Sequence, residues 1–323
     1  MAYYWRRAMI ALAQSQIGRR WVQESGASSW LARRYVAGPD AATGAARSEA
    51  LLRDHGIRAS LCFLGSEIPG NDAADLAVAN TAAAIAIAQE LAKAGLDIHV
   101  SMDPSWAGHN EDPALARRHL RRVCETIAAL GAGKPGTHML MLGMEEASRT
   151  DAILALYRNL AAEGLPVGVT LQAYRRRSEA DLTPLIRSGA KLRLVRGAYP
   201  ATSDIAFPTQ AEIQDNWRRL IDLMFGSDAR MSGFYPIIAT HDHVIQAYAR
   251  ERAAALGWPP GSYEIEMLLG LRDRLARDVA AAGDRMRLYA PFGQEWWAYT
   301  CRRIGDNPRN AWILARSLVM GER

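Results

Sequence analysis

Residues 166–196 read PVGVTLQAYRRRSEADLTPLIRSGAKLRLVR. The stretch opens on an apolar run, Pro166 to Gln172, too short for a helix and rich in Val, Leu and Thr. A polar, helix-forming segment follows over Glu179 to Ser188, and a second β-rich run covers Lys191 to Arg196. Strand, helix, strand within about 30 residues is the period of a parallel βαβ unit.

The same period extends in both directions. Upstream, strands are expected over Ile57–Leu64, Leu96–Met102 and His138–Leu142, each followed by an Ala- and Leu-rich helical run. Downstream they are expected over Tyr235–Thr240, Ser262–Met267 and Arg285–Tyr289, again with helices between. The last helix is expected over Glu295–Ile304. Eight strand–helix units over about 250 residues are the usual span of a closed (β/α)8 barrel. A doubly wound sheet would want a G-x-G-x-x-G turn after its first strand, and none follows Ile57–Leu64. The expected class is therefore α/β, a TIM-like (β/α)8 barrel. A helical segment over residues 1–50 precedes it, and residues 51–323 form the barrel and a helical tail.

Composition excludes several function classes. The 323 residues are 49% hydrophobic and 23% charged, ordinary for a globular chain. The net charge of +5 is too slight to mark a nucleic-acid footprint. Cys62, Cys124 and Cys301 are odd in number and form no C-x-x-C, which points to reduced thiols. No apolar run is long enough to span a bilayer. The expected location is cytoplasmic, with peripheral contact on the inner membrane face left open.

In such a barrel the reactive groups stand at the C-terminal strand ends. Those ends read Ser101-Met102-Asp103, Gly143-Met144-Glu145, Gln172-Ala173-Tyr174 and Gly197-Ala198-Tyr199 on the first half of the set. Thr240-His241-Asp242-His243 and Tyr289-Ala290-Pro291 end later strands. Arg193 and Arg196 lie within one strand, where a branched aliphatic is usual, so each needs a ligand or a buried partner such as Glu264 or Glu266. Three residues apart on a regular strand, they face opposite ways. On the last expected helix, Glu295, Tyr299, Arg302 and Asp306 share a face, with Arg303 beside them. Two adjacent guanidiniums suit one carboxylate; a solvated Glu–Arg face is the plainer alternative. His241 and His243 admit a metal-dependent hydrolase, but the other histidines form no second cluster at strand ends, so no metal is expected.

Together, five segments resemble the proline dehydrogenase family. They are VGVTLQAYRRRSEADL (167–182), KLRLVRGAY (191–199), IATHD (238–242), YEIEMLLG (263–270) and RLYAPFGQEWWAYTCRRIGDNPRNAW (287–312). The resemblance implies a distorted (β/α)8 barrel that binds FAD and transfers hydride from a C–N bond to flavin N5. It implies flavin contacts from Met144, Gln172, Arg196, Gly197, Ala198, Thr240 and His241. It sets Arg193 near the flavin ring, and Tyr289, Tyr299, Arg302 and Arg303 around the substrate. The implied partners are a small amino or imino acid and an electron acceptor, quinone or oxygen.

The departures from the family are specific. A lysine usual after the second strand is Asp103, and an aspartate usual after the third is Gly143. Arg196, Asp242, Glu266 and Asp306 replace a usual Lys, Asn, Gln and Glu. Losing a cation and opening space predict a changed substrate: a carboxylate-bearing amine, proline-like, N-substituted or hydrazino, with Asp103 or Glu145 as acceptor of the amine proton. For Asp103, capping the turn before Pro104 is the structural alternative. Plain L-proline oxidation, and a flavin- or amino-acid-binding homologue without activity, are the competing readings.

Overall fold

In a computed structural model, residues 34–64, 73–293, 296 and 299–301 are described. Helix α1 (Ala41–His55) leads into eight strands: β1 (Arg58–Phe63), β2 (His99–Met102), β3 (Met139–Leu142), β4 (Val167–Gln172), β5 (Lys191–Val195), β6 (Tyr235–Ala239), β7 (Glu264–Leu268) and β8 (Met286–Phe292). Every neighbouring pair is parallel, and β8 pairs with β1, so the sheet closes in the order of the chain. Closure excludes the doubly wound alternative. Helices α2 (Ala73–Lys93), α3 (Pro113–Gly131), α4 (Thr150–Ala162), α5 (Ser178–Arg187), α6 (Gln210–Met224), α7 (Ser227–Ser232), α8 (His243–Ala255) and α9 (Asp273–Ala281) fill the crossovers.

Local chemistry sets the helix ends. The Asp40 carboxylate accepts from Thr43 N at 2.8 Å to start α1, and Gly56 in the left-handed region (φ 67°) stops it. At α6, Thr209 and Glu212 cap each other's backbone N–H groups. Position 50 falls inside α1, which packs Gly44, Ala45 and Ser48 inward. Ala37 N donates to Pro291 O and Gly293 N to Gly38 O, tying the segment before α1 to the end of β8.

Two differences from the sequence reading concern β8 and α7. The expected strand stops at Tyr289, before Pro291, yet β8 runs to Phe292, in register with Phe63 of β1. The missing proline N–H removes one donor only, while its carbonyl is taken by Ala37. Helix α7 has six residues, too few for a readable hydrophobic period, and ends at Gly233 (φ 74°).

The main apolar core lies between sheet and helices, with Leu192, Leu194, Ile238 and Ile265 fully buried there. Inside the barrel the apolar cluster is small: Met139, Met141 and Ile237, with Tyr235 packed against them. Gly168 makes room for it, since a Cβ there would sit 2.7 Å from Met141 Cε. Beside it stand buried charged and polar side chains, among them Arg193, Glu264, Glu266 and Arg287.

Candidate active site

Side chains alternate along a strand, so each strand contributes every second residue to the interior. His99 and Ser101 come from β2, Thr170 and Gln172 from β4, Arg193 from β5, Glu264 and Glu266 from β7, and Arg287 and Tyr289 from β8. These charges and hydroxyls sort into two layers.

The lower layer, toward the N-terminal strand ends, is a closed ion network. Arg287 is fully buried and donates from Nε to Glu264 Oε2 at 2.6 Å and from Nη2 to Glu264 Oε1 and Asp97 Oδ2, both at 2.7 Å. Arg285 donates to the same two carboxylates, and the Tyr235 hydroxyl donates to Glu264 at 2.9 Å. Burial alone would push the Glu264 carboxyl up; the Arg287 charge and hydrogen bonds, with Arg285, hold it below its ordinary value.

The upper layer faces the mouth. Arg193 is 6% exposed. Its Nη1 donates to Glu266 Oε1 at 3.1 Å and to Ser101 Oγ at 3.0 Å, and its Nε donates to Thr170 Oγ1 at 3.1 Å. Its guanidinium carbon lies 5.5 Å from the centroid of the Tyr289 ring. Ser101 continues to Ser60 (3.0 Å) and Ser60 to His99 Nδ1 (2.9 Å). Burial, then the Arg287 and Arg193 charges, drive the His99 imidazole well below its ordinary value, so it is neutral at physiological pH. Glu266 behaves opposite to Glu264. Its burial raises the carboxyl above the ordinary range despite Arg193, and its Oε2 finds no hydrogen-bond partner among the described residues.

Tyr289 stands against Cys62 of β1. Burial raises the phenol well above its usual range, and the neighbouring Cys62 and the Asp103 charge add to this. The Cys62 thiol is itself pushed up to about 12, by burial first and then by Asp103. Neither group ionises at neutral pH, and together they wall the mouth with weak donors.

Around the rim, Gln172 donates through Nε2 to Met144 O and Glu145 O, both at 3.2 Å, while its buried Oε1 has no partner among the described residues. Arg196, just beyond β5, is exposed and donates to Gln210 Oε1 at 3.2 Å. Arg193 therefore points in and Arg196 out, as the strand period requires. Gly197 has φ 94°, and a Cβ there would fall 2.1 Å from the Tyr174 ring. Ala198 is exposed beside it. Thr240 N donates to Glu266 O at 3.1 Å, which ties the end of β6 to β7. His241 Nε2 accepts from Leu268 N at 3.1 Å. Among the described residues no three His, Cys, Asp or Glu side chains are placed to hold a metal ion.

Tyr299 is helical and buried, 7% exposed. Arg302 and Arg303 lie outside the described residues, as do Glu295 and Asp306. Asp103 follows β2 and its side chain does not cap the short turn Pro104–Ala107. Glu145 does that work, accepting from Ser105 N at 3.0 Å and from Arg149 at 3.1 Å. The capping alternative for Asp103 is thus overturned, because a carboxylate from the neighbouring strand end already occupies the donor.

Arg287, Cys62 and the Ser60–His99 pair are site members that residue-by-residue reading passes over. A signal existed for them. Arg287 and Tyr289 share one face of β8, as Ser60 and Cys62 do on β1, so an inward Tyr289 implies an inward Arg287.

The proline dehydrogenase family pattern matches residues 45–316. Proline dehydrogenase of Deinococcus radiodurans is 31% identical over 327 residues, covering 98% of each chain. Proline dehydrogenase 1 of Bacillus subtilis is 30% identical over 288 residues, covering 89% of this chain and 90% of that one. Among solved structures, proline utilization A from Bdellovibrio bacteriovorus superposes with a TM-score of 0.72 at 20% identity over 85% of this chain. The Corynebacterium freiburgense protein of the same name gives 0.71 at 21% identity over 97%. This chain spans only 32% and 34% of those longer chains, and the likeness to them is one of fold.

Proposed function

The chain belongs to the proline dehydrogenase family, flavin-dependent oxidoreductases acting on the CH–NH group of proline, and on that premise we propose that it dehydrogenates a proline-like, carboxylate-bearing amine. The observation that carries this reading is the mouth itself: a buried guanidinium, Arg193, under the ring of Tyr289, on the C-terminal side of a closed barrel.

The residues present fit FAD. The unpartnered Oε1 of buried Gln172 is a ready acceptor for a flavin N–H. Exposed Arg196 suits a phosphate, and Gly197, held in the left-handed region, lets a ligand approach the backbone. Met144, Ala198, Thr240 and His241 complete the expected cradle. When bound, the flavin supplies a hydride acceptor. The substrate carbon loses the hydride, its nitrogen loses a proton, and C–N becomes C=N. The chain's own residues bind and orient. Arg302 and Arg303 hold the carboxylate, Tyr289 and Tyr299 cover the ring, and Arg193 with Glu266 sets the charge beneath it. The electron acceptor would be a quinone or dioxygen; a quinone would bring the protein to the inner membrane face. Among the described residues no helix is long and apolar enough to cross a membrane. L-Proline itself is the second substrate reading, favoured by family membership.

The test is anaerobic addition of L-proline and of cyclic, N-alkyl and hydrazino acids to FAD-loaded protein, followed by the visible flavin band. Bleaching by a member of the panel is expected. A protein that takes up no FAD, or a yellow protein that none of these acids bleaches, would sink the reading.

A further inference from the structure

Asp103 and Gly143 occupy one space. β2 and β3 pair in register, Met102 opposite Leu142, so residues 103 and 143 are neighbouring first residues beyond the strands. Both continue the inward alternation, Asp103 after His99 and Ser101, Gly143 after Met139 and Met141. Gly143 N donates to Met102 O at 3.1 Å, which keeps the two backbones together at this level. A Cβ at residue 143 would lie 1.8 Å from Asp103 Oδ1 and 2.9 Å from its Cγ. The carboxylate therefore lies in the hollow that the glycine leaves. The backbone of Gly143 is not in the left-handed region, so conformational freedom is not what calls for glycine here. What requires it is the Asp103 side chain.

At the turn that follows β2 it is Glu145, not Asp103, that holds the Ser105 N–H. The Asp103 charge is felt at the mouth instead, where it acts on both Cys62 and Tyr289. It lies on the β2–β3 side of the mouth, and an amine seated beside Tyr289 would lie in its field.

We propose that Asp103, seated over Gly143, is a specificity-determining residue that selects a carboxylate-bearing amine with a second basic nitrogen, a diamino or hydrazino acid, holding that nitrogen as its ammonium. The inference rests on the dehydrogenase reading above. Its chemical logic is that of the reaction. Hydride leaves a carbon only when the attached nitrogen has a free lone pair, and the product is cationic at that nitrogen. In a substrate with two nitrogens the more basic one takes the proton and leaves the reacting one neutral. The remaining ammonium then opposes the developing positive charge next to it. A carboxylate at the ammonium cancels that opposition and binds the substrate through a charge-assisted hydrogen bond.

The experiment compares two acids of the same ring size, piperazine-2-carboxylate and piperidine-2-carboxylate, which differ by one ring nitrogen. Binding to FAD-loaded protein is measured by calorimetry, and flavin bleaching is followed separately. The wild type is expected to bind the piperazine acid about tenfold more tightly or better. Asp103→Asn should abolish that preference. Gly143→Ala keeps the carboxylate but swings it out of its hollow, and should shrink the preference too. Equal binding of the two acids by the wild type, tighter binding of the piperidine acid, binding of neither, or an unchanged preference in Asp103→Asn would each overturn the inference. A clear preference without any bleaching would support the selectivity of Asp103 while counting against the dehydrogenase reading.

Discussion

Glu264 and Glu266 stand two residues apart on one strand, both inward and both buried, yet their removal should leave opposite signatures. Glu264 accepts four hydrogen bonds: two from Arg287, one from Arg285 and one from Tyr235. Glu264→Gln puts an amide where two guanidiniums converge and leaves the fully buried Arg287 with Asp97 as its single remaining carboxylate. Breaking a buried ion pair by removing one partner costs about 3–5 kcal/mol. Glu266→Gln keeps a carbonyl for Arg193, which also retains Ser101 and Thr170, and removes a carboxylate with one oxygen already unpartnered. Its expected cost is below about 2 kcal/mol. The pH dependences separate the two further. Glu264 is held below its ordinary value in the fold, so its stabilisation is full above the ordinary carboxyl range and fades as pH falls toward the folded value. Glu266 is raised, so the fold disfavours its charge, and wild-type stability is lost as pH rises from the ordinary range through the raised value. Urea unfolding of the three proteins across about pH 4 to 8 reads both effects. The penalty of Glu264→Gln should shrink toward acid and that of Glu266→Gln toward neutral. Penalties of equal size with parallel pH profiles would refute the division of the barrel interior into a paired lower layer and an under-paired upper one.

Gly197→Ala should strain the backbone and collide with the Tyr174 ring, lowering stability by about 1–3 kcal/mol and reducing FAD content, read from the ratio of visible to ultraviolet absorbance. An unchanged melting temperature and flavin content would show that the turn after β5 does not shape the cofactor cradle. Arg302→Ala should raise KM for the oxidised acid by about tenfold or more while FAD stays bound. Turnover at unchanged KM would remove the carboxylate clamp from the mechanism.

The strand–helix period was legible in the sequence because parallel strands buried on both faces are short and apolar while their crossover helices are long. Each expected strand from Ile57–Leu64 to Arg285–Tyr289 overlaps an observed one. The errors lie at ends, where tertiary partners decide. β8 extends past Pro291 because β1 offers a matching edge, and a short helix such as α7 depends on Gly226 and Gly233 rather than on a repeated hydrophobic pattern. Inside the barrel the alternation of strands indicates which residues face inward but not whom they meet. The letters Glu-Ile-Glu in β7 are symmetric; the partners arriving from β5 and β8 are not.

The same limit explains the pair at the mouth. In the sequence, Asp103 and Gly143 are two separate departures, a lost cation and a lost side chain, 40 positions apart. The β2–β3 register makes them one event, since the carboxylate fills the hollow that the glycine opens. A change that supplied Asp103 against a side chain at 143 would force the carboxylate aside, and glycine at 143 without Asp103 would leave a void. Each substitution is therefore tolerable chiefly in the presence of the other. That coupling is a physical reason to regard the mouth as reshaped around a carboxylate rather than eroded by the loss of two residues, and it is why the binding preference of Asp103 is measured together with that of Gly143.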